Sequence, residues 1–218
     1  MSHVAASSEL ATQRQHLVRL LLVWFFALCL SVASVQVLNA QLSVGGAPPG
    51  LELNPKHHTP EFVLPGLNMD SIRVHDRQRE AAGQLPAIGR KLERQLSLGD
   101  GQWTTLDDGR KMWQLQVRSL GALATSLYFD DFHLPEGSRL FVYTPGGERV
   151  LGAFTSQNNK QSGRFATGLL PGDVCIVEYI EPREYPGRVR LSIEAVGHAY
   201  RNVPFAKRRK TFGASDDC

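Results

Sequence analysis

Apolar and polar positions change their rhythm several times along this chain. Leu20 to Val35 is an apolar run without a single charge. Residues 41–70 have no rhythm, because five prolines and four glycines interrupt them, so an irregular arm is expected there. Ser71 to Gly83 is polar and charged and predicts a short helix within that arm. From Ile88 onward, short apolar runs alternate with turn residues. Trp113, Leu115 and Val117 alternate with Gln114, Gln116 and Arg118, the period of a strand with one wet face.

The rest of the chain repeats this grammar. Trp103 to Leu106 and the following Asp108-Gly109 read as a hairpin whose turn tolerates positive φ. Leu127-Tyr128-Phe129 is a strand expected to end at Asp130-Asp131. Pro135-Glu136-Gly137 turns into Leu140–Tyr143, and Pro145-Gly146-Gly147 turns that strand into Val150–Phe154. Asn158-Asn159 marks a loop before Arg164–Thr167, and Pro171-Gly172-Asp173 leads into Val174–Tyr179. Pro186-Gly187 opens the last strand, where Val189, Leu191, Ile193 and Ala195 alternate with Arg188, Arg190, Ser192 and Glu194. About eight short strands at regular spacing predict an all-β fold. The expected form is an antiparallel β-sandwich, jelly-roll-like, over residues 86–206, behind an arm at 41–85.

The first forty residues read as an address. Met1 to Arg19 is polar and slightly basic, the apolar run follows, and Leu38-Asn39-Ala40 puts a small residue before Gln41. That order predicts a secretory signal peptide over residues 1–40, cut between Ala40 and Gln41. The protein is then secreted, periplasmic or at the cell surface, and a membrane enters only if the signal stays uncleaved. Charge argues against nucleic-acid binding. The 218 residues carry a formal net charge of +3, all of it near the ends. Setting aside Glu9, Arg14, Arg19, Lys207–Lys210, Asp216 and Asp217 leaves 18 basic and 18 acidic residues. A neutral body does not resemble a nucleic-acid binder, which usually carries a basic face.

Candidate chemistry is sparse. An exported chain can keep disulfides, but beyond Cys29 of the signal there are only Cys175 and Cys218. Cys175 lies in an apolar run and reads as a buried thiol; Cys218 is a disulfide candidate. There is no Cys-x-x-Cys, Gly-x-Ser-x-Gly, Gly-Asp-Ser-Gly or phosphate-binding glycine loop, and no cofactor or metal is implied. His57-His58 reads as solvated loop, while His133 after Phe132 and His198 after the last strand read as turn or packing residues. Asp130-Asp131 offers too few oxygens for calcium and reads as a polar turn. Trp103, Trp113 and Tyr128 would furnish a platform if the domain binds carbohydrate or protein. Lys207, Arg208, Arg209 and Lys210 give the strongest local signal. They lie past the last strand, ahead of Gly213-Ala214-Ser215, in the kind of exposed basic segment that a trypsin-like protease cuts. Residues 207–218 therefore read as a processing junction.

These residues also carry a resemblance. Trp103-x-x-Leu106-x-Asp108-Gly109, followed by Trp113-x-Leu115-x-Val117-x-Ser119-x-Gly121-Ala122, resembles the amino-terminal region of bacterial lysyl endopeptidase precursors. Phe132-x-Leu134-Pro135-x-Gly137, Leu140–Tyr143, Gly152-Ala153-Phe154-Thr155-x-x-Asn158-Asn159, Leu170–Asp173 and His198-x-Tyr200-Arg201 continue the likeness. The resemblance implies a secreted precursor with a β-rich pro-region ahead of a trypsin-like serine protease domain. It makes Phe212 to Cys218 similar to the opening of that domain, with Cys218 as its first disulfide-forming cysteine. The partner implied is the cognate protease domain in cis, with cleavage by a processing protease or by the precursor itself. No triad His, Asp or Ser is reached before Cys218, so no catalytic residue is carried over. The expected role is to assist folding of the protease and keep it latent. The competing expectation is a free-standing exported binding module for carbohydrate or protein.

Overall fold

The computed structural model describes residues 42–52, 59–184 and 188–202. Contacts divide the chain into two units, Met1–Ala40 and Gln41–Cys218, and the described residues all lie in the second. Alternation makes its core. Trp113, Leu115 and Val117 point inward from β4 (Lys111–Ser119), and Cys175, Val177 and Tyr179 do so from β10 (Val174–Ile180). They meet Leu127, Phe129 and Phe132 of β5 (Ala124–His133) and Leu191, Ile193 and Val196 of β11 (Arg190–Ala199). Burial of these side chains between two layers is the main favourable contribution to the fold.

One layer, sheet one, runs β1 (Glu61–Leu64), β4, β10, β6 (Arg139–Tyr143), β7 (Val150–Phe154). β3 (Gln102–Thr105) joins it on β4. The other, sheet two, runs β2 (Gly89–Ser97), β11, β5, with β8 (Phe165–Ala166) and β9 (Leu170–Pro171) both on the outer edge of β5. All pairings are antiparallel except β1 with β4. The fold is the all-β sandwich that the alternation predicts. The hairpin at Asp108-Gly109 joins β3 to β4, with Gly109 at φ 83°.

Several local expectations are corrected. There are eleven strands among the described residues against about eight expected; of the additions, β1 and β9 are edge pieces of four and two residues with little pattern of their own. β2 (GRKLERQLS) is a further addition that shows no alternation in the sequence, since only Leu92 and Leu96 of it turn inward. The arm is not wholly irregular: β1 pairs in parallel with Gln116–Ser119, sharing the edge of β4 with β3. The helix is present as α1 (Met69–Ala81), capped by the Asn68 side chain accepting from the Ser71 N–H at 3.1 Å. Asp130-Asp131 does not end its strand, and His133 is the last residue of β5 rather than part of a loop. His198 lies inside β11.

Sheet two explains the last of these corrections. Register shifts between Ile193 and Ala195, and between Ser192 and Ile193, make Glu194 and Asp130 extra residues in their strands. A bulge of this kind reverses which face later residues occupy. Beyond it Val196 and His198 turn inward, whereas simple alternation puts Ala195 there. Sheet one holds a second surprise. Gln114, on its supposed wet face, is buried, as is Glu178 opposite it.

Candidate functional site

The covering of that outer face is the arm itself. Ser43 Oγ bonds the Gly152 carbonyl, Val44 N–H donates to Ala153 O at 3.1 Å, and Ala153 N–H donates to Gly45 O at 3.3 Å. The arm thus starts at the β7 edge, crosses over Gly46 near the Phe141 ring, and reaches β10 at Gly50. Thr59 Oγ1 then lies 3.5 Å from Gln114 Oε1, and β1 closes on β4. Under it lies an apolar cluster of Met112, Phe141, Tyr143, Ala153 and Ile180. Beside that cluster Tyr143 OH donates to Glu178 Oε2 at 2.6 Å and Gln114 Nε2 donates to the same oxygen at 2.9 Å. Burial, reinforced by the adjacent carboxylate, holds the Tyr143 hydroxyl protonated far above its ordinary range.

A groove opens on the outer face of sheet two, lined by Lys91, Glu93, Arg94, Gln95, Asp130 and Glu194. Two of these, Asp130 and Glu194, are the bulge residues of β5 and β11. Lys91 Nζ pairs with Glu194 at 2.7 Å and sits 5.1 Å from the Tyr128 ring centre. Gln95 bonds Asp130 and Ser192. Partial burial would raise the Asp130 pKa, but hydrogen bonds from Ser192 and Gln95 outweigh it and hold the carboxyl below its usual range. The groove is a polar, ion-paired surface rather than an enclosed apolar pocket.

The end of the described chain is held by α1. Asp76, buried although its helix is largely exposed, receives Arg90 Nη2 at 2.6 Å, Tyr200 OH at 2.8 Å and Arg201 Nη2 at 3.3 Å. Arg201 also pairs with Glu80 at 2.6 Å, and the backbone N–H groups of Tyr200 and Arg201 both donate to Ile88 O. Desolvation opposes ionisation of Asp76, yet the donors from Tyr200 and Arg90 win and lower its pKa. The sequence offers no signal for this cluster, whose members are scattered from position 76 to 201.

A third arrangement lies in the core. Ser119 Oγ and His198 Nδ1 are 2.8 Å apart, both sealed from solvent, with Thr125 opposite His198 in the β5 register. Burial pushes the nearby Cys175 thiol up to about 12, against a smaller opposing effect of the Thr125 hydroxyl. A nucleophile needs the opposite shift and access to substrate, so these groups bind the layers together. Cys175 is the buried thiol expected of its apolar run.

Of the residues expected to carry function, Ala40, Gln41, Lys207, Arg208, Arg209, Lys210 and Cys218 lie outside the described residues, as do His57 and His58. The aromatic platform does not form. Trp113 is in the core, Trp103 turns its edge to Tyr179 at 5.9 Å on sheet one, and Tyr128 belongs to sheet two. Among the described residues no helix is long and apolar enough to cross a membrane. No family model and no solved structure matches the chain.

Proposed function

We propose that this chain is the non-catalytic pro-region of a lysyl-endopeptidase-like serine protease precursor. In this reading the sandwich assists folding of the protease domain and keeps it latent until cleavage near Lys207–Lys210. The supporting observation is where basic residues fall relative to the held chain end. Arg201 is tied by its backbone to Ile88 and by its guanidinium to Asp76 and Glu80. The sequence then runs Asn-Val-Pro-Phe-Ala without a basic residue until Lys207. A protease must draw an extended stretch of chain into its cleft, which a strand bonded on both sides resists. Arg201 is withdrawn in this way, and the next basic residues along the sequence are Lys207–Lys210. A lysine-specific domain joined downstream can then cut after Lys207 or Lys210 unaided, while Arg208 and Arg209 also admit an arginine-directed enzyme.

Limited digestion with lysine- or arginine-specific protease, followed by mass measurement, tests this reading. First cuts at 207–210, leaving the sandwich whole, are expected. First cuts inside 110–200 with 207–210 intact would contradict it.

A further inference from the structure

The contact between the arm and sheet one has the character of a ligand in a site. Leu51 N–H donates to Pro48 O at 3.1 Å, closing a turn over Pro48-Pro49-Gly50-Leu51. In such a turn the two central amides are not used internally, and Pro49 has none. Gly50 therefore presents a single N–H outward, and it falls between both oxygens of Glu178, at 3.2 and 3.1 Å. With the arm in place the receiving groups are fully or almost fully covered: Glu178 is 0% exposed, Tyr143 1% and Gln114 2%. Gln114 Nε2 and Tyr143 OH orient the carboxylate and bond each other at 3.1 Å.

Selection at this point is by absence of a side chain. A Cβ on residue 50 would lie 2.1 Å from Gln114 Nε2, 2.2 Å from Glu178 Oε2 and 2.8 Å from Tyr143 OH. Those three atoms are side-chain ends hydrogen-bonded to one another, so displacing one breaks its bonds to the other two. The arm's large side chains contribute little: Leu42, Val44 and Leu51 stay exposed, and Pro48 is the buried residue of the stretch 42–52. The face supplies a carboxylate oriented by Gln114 and Tyr143, and at this point the arm supplies a turn that presents the Gly50 N–H with no Cβ beside it. That asymmetry is expected of a receptor and a short peptide.

We propose that the outer face of sheet one, around Glu178, Gln114 and Tyr143, is a binding site for a Pro-Gly turn, loaded in cis by the chain's own arm. The ligand class is an uncharged peptide turn with glycine after proline, whose glycine N–H meets the buried carboxylate. The same site accepts such a turn from outside the chain once the arm is displaced, so the arm acts as a competitor built into the fold. This goes beyond the pro-region reading and does not depend on it.

The test uses the full chain and a fluorescent synthetic peptide of residues 42–52. Gly50→Val in the protein keeps its own turn off the site. The peptide should bind this variant saturably and at least ten-fold tighter than wild type, whose site is filled. A peptide carrying Gly50→Val should not bind, and Glu178→Gln added to the protein should weaken binding at least ten-fold. Equal binding to wild type and variant, equal binding of both peptides, or no binding to a folded variant would overturn the proposal. Should the variant fail to fold, hydrogen exchange on wild type decides. Millimolar peptide, matching the effective concentration of a tethered arm, should speed exchange in segment 42–52. Unchanged exchange there would overturn the proposal equally.

Discussion

Ser119 and His198 join the two layers of the sandwich across its core, Oγ to Nδ1 at 2.8 Å, one from β4 and the other from β11. Their closeness depends on the β11 bulge, which turns His198 inward to face Ser119.

Acid should loosen the fold through this pair. Burial lowers the His198 pKa below its ordinary value, because a charged ring in the core loses hydration. The unfolded chain binds a proton near pH 6.5, while the folded chain does so only at lower pH. Stability is therefore full above that pH and falls as pH drops through the window beneath it, by up to about 1.4 kcal/mol per pH unit. Urea midpoints at pH 7.5 and 5.5 should differ, and His198→Gln should reduce the difference. Equal midpoints for wild type would contradict this account.

Trp113 should be the most costly aromatic to truncate. Its ring is in the core, its Nε1–H donates to Leu98 O at 2.9 Å, and a Cβ on Gly101 would meet its ring at 2.4 Å. Trp113→Ala leaves both a cavity and an unpaired carbonyl, and about 3–5 kcal/mol should be lost in urea unfolding. A variant as stable as wild type would place the ring outside the core.

Asp76→Ala should free the chain end without opening the sandwich. Arg90, Tyr200 and Arg201 all lose an acceptor, while the β11 pairings remain. Amide exchange at Tyr200 and Arg201 should rise, and an arginine-specific protease should gain a cut after Arg201. Unchanged exchange and no new cut would show that the backbone bonds to Ile88 hold the end alone.

How much of this was legible in the sequence follows from where each signal resides. Strands buried on one face announce themselves by alternation, so β4, β6 and β10 are readable from Trp113, Leu140 and Val177 and their neighbours. A bulge has no such mark, and one extra residue at Glu194 or Asp130 misplaces His198 and the end of β5. β2 was hidden because an edge strand with a charged outer face buries too little to impose a rhythm. The arm misled in another way. Its prolines and glycines do exclude long regular elements, but Gly50 is there for close approach to Glu178, and that reason exists only in three dimensions. Gln114 and Glu178 look like solvent-facing strand residues until the arm is laid over them. The Asp76 cluster joins residues more than a hundred positions apart, and neither composition nor spacing connects them.

The pro-region reading is tested most directly by sequencing the coding region past the codon for Cys218. The account predicts an in-frame continuation encoding a trypsin-like domain, with its His and Asp followed by a Gly-Asp-Ser-Gly motif. A stop codon directly after Cys218, with no such frame downstream, would contradict it.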